Sequence, residues 1–211
     1  MTNEQFKTSE QLNSLIYGKQ DDELLSLFEV NHFLHEKGFA LLLILFSFPM
    51  ALPLPYPPGF TTILGLPLIF YGIQMILGRV DPWLPKFIGS KTIKISHLRF
   101  AIEKSQKFFC FIEKFSRPRL LSLTSPNGEK VVGFFVLICA ITITLPIWFG
   151  NAIPSLGILV MSLGVLNRDG LAVIIGVVIS IIGVFIASLV VIWGVKFVKG
   201  IILKIFPYIK I

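Results

Sequence analysis

The stretch GFALLLILFSFPMALPLPYPPGFTTILGLPLIFYGIQMILG, residues 38–78, contains no Asp, Glu, Lys or Arg, yet it is broken by Pro49, Pro53, Pro55, Pro57, Pro58 and Pro67. So apolar a segment calls for a non-aqueous surrounding, but a single straight helix is excluded. Each proline inside a helix removes an amide donor and presses on the preceding turn. The uninterrupted run 38–48 would rise about 16 Å at ~1.5 Å per residue, against a hydrocarbon core of about 30 Å. The stretch therefore reads as a re-entrant hairpin that goes in, breaks across Leu52–Gly59 and returns.

A second block, Val131 to Asn167, follows the same plan: an apolar run, a Pro/Gly-rich interruption and another apolar run. The first block reads Leu52-Pro53, Pro57-Pro58-Gly59 and Leu64-Gly65, and leaves through Arg79 and Asp81. The second reads Leu145-Pro146, Asn151 and Pro154, then Leu163-Gly164, and leaves through Arg168-Asp169-Gly170. The parallel predicts an internal repeat; the competing reading is that any two proline-broken hairpins look alike. A third block, Leu171 to Val195, is long enough to span with tilt. Four lysines follow it (Lys196, Lys199, Lys204, Lys210). A single final span would place them opposite the basic loops, against the usual charge bias; a kink near Ser180–Gly183, making a third hairpin, would remove that conflict.

Composition agrees with a bilayer environment. The 211-residue chain is 54% hydrophobic and 15% charged, with a mean hydropathy of +0.80, whereas soluble domains carry roughly 25% charged residues. The fold class expected is thus an all-α integral membrane protein. Its segments are 1–37, 38–78, 79–130, 131–167 and 168–211: an amphipathic N-terminal part, the first broken hairpin, a basic connector, the second broken hairpin, and a final span with its Lys-rich tail.

The formal charge of +7 is unevenly placed: residues 1–37 hold 7 acids and 3 Lys, and residues 79–130 hold 11 Lys or Arg against 4 acids. Bases beside apolar segments are the mark of cytoplasmic loops, and no nucleic-acid module accompanies them. Between Asp21-Asp22 as caps and Gly38 as a stop, Leu24, Leu27, Phe28 and Leu34 recur at helical spacing, which predicts an amphipathic surface helix. His32, His35 and Glu36 there read as a solvated face and not as metal ligands. In the connector, Pro82-Trp83-Leu84-Pro85 opens a basic stretch in which Phe87 to Phe115 supply apolar positions, suited to an interfacial helix on anionic lipid. Cys110 and Cys139 are isolated and read as packing residues.

Chemistry is expected at two places. Backbone carbonyls near the breaks lack helix partners, and such backbone at membrane depth must be buried in protein or face a polar cavity. Pro53, Pro58, Gly59, Thr61, Thr62, Asn151, Pro154 and Ser155, with Gln74, would contact a neutral or anionic substrate there. Arg79 and Arg168, with Asp169 and the pair Arg117 and Arg119, would draw phosphate to the mouth, since guanidinium groups suit phosphate geometry. The plainer alternatives are tight helix packing for the loops and positive-inside anchoring for the arginines. General acid/base or nucleophilic catalysis needs positioned His, carboxylate or thiol groups. The apolar blocks offer only Cys139, so no catalytic residue, metal or cofactor is expected and a non-enzymatic role is favoured. Membrane lipid is the expected partner.

Taken in order, Pro57-Pro58-Gly59 through Gln74-Met75-Ile76-Leu77-Gly78, then Pro82-Trp83-Leu84-Pro85, Arg117-Pro118-Arg119, Leu145-Pro146 with Asn151 and Pro154, and Arg168-Asp169-Gly170 resemble the ExoD family of bacterial exopolysaccharide-synthesis proteins. The resemblance covers roughly residues 20–195; His35-Glu36-Lys37-Gly38-Phe39 and the tail after Val195 depart from it. It implies a multi-pass inner-membrane protein linked to exopolysaccharide production, and carries over no catalytic residue. Two roles remain open: a transporter-like handler of a lipid-linked or anionic glycan, and a non-catalytic assembly or regulatory component beside polysaccharide synthesis or export proteins.

Overall fold

The computed structural model describes residues 23–26, 29, 37–52, 54, 56–57, 59–83, 85–86, 90, 92–96, 118–145 and 150–205, with side chains of the last helix to Trp193. Five main helices form: α1 (Lys37–Ala51), α2 (Phe60–Ile76), α3 (Pro126–Thr144), α4 (Ala152–Leu166) and α5 (Gly170–Ile205). Two three-residue strands, β1 (Leu24–Ser26) and β2 (Thr92–Lys94), pair antiparallel, and a 3-10 turn covers Leu121–Thr124.

The small sheet corrects the all-α expectation at two points. Leu24–Ser26 is a strand and not part of a surface helix, and Thr92–Lys94 interrupts the helix expected in the connector. The reason is tertiary: pairing satisfies both backbones, while Leu25 and Ile95 reach the main core. The helix-start signature also moves from Asp21-Asp22 to Ser26. The Ser26 amide donates to Glu29 Oε2 at 2.7 Å and the Glu29 amide donates to Ser26 Oγ at 3.2 Å, a reciprocal capping box. Residues 27–28 and 30–36, and most of the connector, lie outside the described residues.

α1 is longer than the run before its first proline. It passes through Pro49 to Ala51, a rise of about 22 Å at ~1.5 Å per residue. Pro49 sits in the last turn, where its missing amide costs one ladder bond and its ring presses only on the final turn before the helix ends. The freed end is closed by a side chain: the Tyr56 hydroxyl donates to Pro49 O and also lies 3.1 Å from Leu52 O. Phe39, Ala40, Leu43, Ser47 and Met50 form the buried stripe, at the spacing of one helix face.

The chief helix contacts are α1 on α4, α2 on α3 and α4 on α5. The last two depend on glycine pairs seven residues apart, which stack at the same rotational position after two turns. A Cβ at Gly72 would lie 3.2 Å from Leu137 N, and one at Gly133 would lie 2.6 Å from Met75 Cβ. On the other interface a Cβ at Gly157 would meet Ser180 N at 2.8 Å, one at Gly176 would meet Met161 N at 2.5 Å, and one at Gly183 would meet Pro154 N at 2.6 Å. α5 is continuous through Ser180–Gly183, so the third hairpin is not formed. Both residues face α4, and the close approach favours an unbroken helix.

Pro126–Thr144 and Gly170–Trp193 are long and apolar enough to cross a membrane, and only 28% of the latter is buried. Leu45, Phe48, Ile63, Leu66, Phe70, Ile73, Phe134 and Phe185 are also exposed on the outside of the bundle.

Candidate functional site

At the ends of α2 and α4 the chain makes the same turn twice. The Arg79 amide donates to Gln74 O at 3.2 Å and the Gly78 amide to Met75 O at 2.9 Å; the Asp169 amide donates to Gly164 O at 2.8 Å and the Arg168 amide to Val165 O at 3.2 Å. Both are Schellman closures, which require a left-handed residue just past the helix. Gly78 supplies it at φ +72°, and Arg168 adopts it at φ +53°, a conformation that costs a non-glycine residue roughly 1 kcal/mol.

Beyond the second turn, Asp169 Oδ1 accepts from the Leu171 and Ala172 amides at 3.1 and 3.4 Å, capping α5. The turn is also stitched to the connector: the Arg119 amide donates to Arg168 O at 3.3 Å and the Gly170 amide donates to Arg119 O at 2.8 Å. A Cβ at Gly170 would stand 2.6 Å from Leu120 O, so the glycine of Arg168-Asp169-Gly170 is what lets this strand approach. Leu120, left-handed at φ +50°, then turns the chain into the 3-10 turn and the start of α3.

These turns enclose a cavity of about 320 Å³ lined by Met75, Gly78, Arg79, Val80, Leu121, Thr124, Ser125, Pro126, Glu129 and Arg168. Arg79 and Arg168 thus reach one space from separate halves of the chain. Ser125 caps α3 by accepting from the Gly128 amide at 3.4 Å, with Pro126 following in the first turn. Lys130 lies across the surface of Gly78, its Cε 2.8 Å from where a Cβ would be.

The remaining sequence candidates sit elsewhere. Gln74 is buried behind the first turn, where its Oε1 accepts from the Trp83 amide at 2.6 Å and its Nε2 lies 3.4 Å from Trp83 O. Thr61, Thr62, Gly59, Asn151, Pro154 and Ser155 lie at the far ends of α2 and α4, about 20–30 Å from the arginines by helix rise. There Thr62 Oγ1 donates to Thr144 O at 3.0 Å and Asn151 Nδ2 to Leu145 O at 3.4 Å, closing the carbonyl end of α3, while Ser155 Oγ donates to Asn151 O at 2.7 Å. Asn151 Oδ1 is buried with no hydrogen-bond partner among the described residues. Pro154 packs on Gly183. Pro53, Pro58 and Arg117 lie outside the described residues. Sequence reasoning passed over Thr124, Ser125, Glu129 and the apolar walls Val80 and Leu121; the Ser125-Pro126 pair, a cap followed by proline at the first helical position, was the available signal.

Fold and site together define a small, predominantly helical protein with two helices fit to cross a bilayer and a two-arginine cavity where its helix turns meet. The family model described as exopolysaccharide synthesis, ExoD, matches residues 8–189, and the chain belongs to that family. It is 30% identical over 186 residues to an uncharacterized protein of Synechocystis sp., covering 87% of each chain. It is also 33% identical over 144 residues to Protein ExoD of Rhizobium meliloti, covering 65% of this chain and 58% of that one. No solved structure matches it.

Proposed function

We propose that the protein is a multi-pass component of the bacterial inner membrane that handles a lipid-linked or anionic glycan during exopolysaccharide synthesis. In this reading the two proline-broken hairpins are copies of one re-entrant design, and their return turns face the cytoplasm. The observation that carries it is the convergence of Arg79 and Arg168, through the same closure at the ends of α2 and α4, on one cavity. Support for a bilayer comes from the outer surface: large Leu, Ile and Phe side chains stand exposed on each of α2, α3 and α5, and apolar surface of this kind on several neighbouring helices marks an interaction or membrane face.

The test is complementation of a strain lacking the gene with Arg79→Gln and Arg168→Gln variants. Exopolysaccharide output should fall by at least tenfold with membrane protein level unchanged; full output from both variants would sink the proposal.

One observation favours a second reading, a non-catalytic assembly component. The donors of Thr62, Asn151 and Ser155 are all engaged by backbone carbonyls, as they would be in a purely structural loop end. Co-purification of a polysaccharide synthesis or export subunit, undiminished by the two arginine substitutions, would put this reading ahead.

A further inference from the structure

We infer that the ligand of the Arg79–Arg168 cavity is the phosphate headgroup of a lipid, a deepening that rests on reading this cavity as the substrate site. Three features of the cavity point the same way. Its charge favours an anion: two arginines, Arg79 and Arg168, line it with one acid, Glu129, and the Lys130 side chain lies against Gly78 at the edge. Arginine pairs match phosphate oxygens with parallel N–H donors, so a phosphate monoester is the ligand they hold best.

Its size limits what else can enter. At about 320 Å³ it stands at the lower end of the roughly 300–1,000 Å³ of small-molecule pockets, enough for one phosphorylated headgroup and not for a glycan chain. Its rim then distinguishes a lipid from a soluble phosphate. Val80 and Leu121 are lining residues, 59% and 53% exposed, and Leu77 beside them is 72% exposed. A site for a freely soluble anion gains nothing from leucine and valine at its lip, whereas an amphiphile lays its first methylenes on them while the head meets the arginines.

The experiment uses the full-length protein in a neutral detergent, titrated calorimetrically with dodecyl phosphate, inorganic phosphate and dodecyl glucoside. Dodecyl phosphate should bind, with inorganic phosphate and dodecyl glucoside each at least tenfold weaker. Arg79→Gln and Arg168→Gln should each weaken dodecyl phosphate at least tenfold, and Glu129→Gln should strengthen it. Val80→Glu, at an exposed lip position outside the turn hydrogen bonds, should abolish binding with the helical circular dichroism signal intact, which keeps the test decisive if an arginine variant misfolds. Equal binding of inorganic and dodecyl phosphate would overturn the lipid assignment, and binding unaffected by Val80→Glu and the arginine variants would overturn the site. Absent dodecyl phosphate binding together with lost polysaccharide output in the arginine variants would defeat this inference alone. Phosphate-lipid binding with full output from those variants would defeat the functional reading instead.

Discussion

Arg168 combines a backbone duty with the side-chain duty proposed for it, and a single substitution separates the two. Glycine occupies the equivalent position of the first turn, Gly78, so Arg168→Gly keeps the left-handed closure. The expected outcome is an undiminished thermal midpoint in detergent with exopolysaccharide output lost; a variant with full output would show that the guanidinium is dispensable. Tyr56 is the reverse case, a side chain with a backbone duty. Tyr56→Phe keeps the ring stacked on Phe60, at 5.0 Å between centroids, and removes only the hydroxyl that closes the α1 carbonyls. Losing hydrogen bonds to these partly exposed acceptors should cost about 0.5–1.5 kcal/mol, read as a lowered midpoint, and an unchanged midpoint would mean the α1 end is satisfied in another way. Prolines near residue 50 announce that some group must satisfy these carbonyls, but which one is invisible until the chain has turned back on itself.

At the scale of elements, the glycines separate into two kinds. Gly183→Ala places a methyl 2.6 Å from the Pro154 nitrogen, against backbone that cannot yield, and overpacking of this kind costs roughly 1–3 kcal/mol. Gly59, at φ +86° with open space around it, pays only for its left-handed backbone. Gly59→Asn should therefore be tolerated better than Gly59→Ala, since asparagine visits that region more readily. Thermal midpoints of the three variants check both statements; equal losses for the two Gly59 variants would remove the backbone explanation. The seven-residue glycine spacing stands in plain view in the sequence, as do the helix breaks. The partner of each glycine does not, and neither does the pairing of β1 with β2, because three-residue strands gain their stability from the core they complete.

For the whole molecule, the question is whether α5 runs straight through an apolar phase. Its exposed Ile182 lies in the middle of an unbroken helix, whereas a hairpin at Ser180–Gly183 would bring that position to a watery turn. In a background lacking Cys110 and Cys139, Ile182→Cys in sealed vesicles should resist a membrane-impermeant maleimide from either side and react after denaturation. Rapid labelling in intact vesicles would contradict the continuous span.

The amino-acid sequence alone determined the apolar, mostly helical character, the helix breaks, the residue types at the ends of α2 and α4 and the family, because proline, glycine and the absence of charge act through local backbone geometry and solvation. Only the tertiary structure decided that Arg79 and Arg168 share a cavity with the first turn of α3, and that the Thr62 hydroxyl, the Asn151 amide nitrogen and the Gln74 side chain bond to backbone. It also decided that α5 continues through its centre. Each of these depends on which surfaces meet across tens of residues of intervening chain, and close packing at glycine, not local preference, selects those meetings.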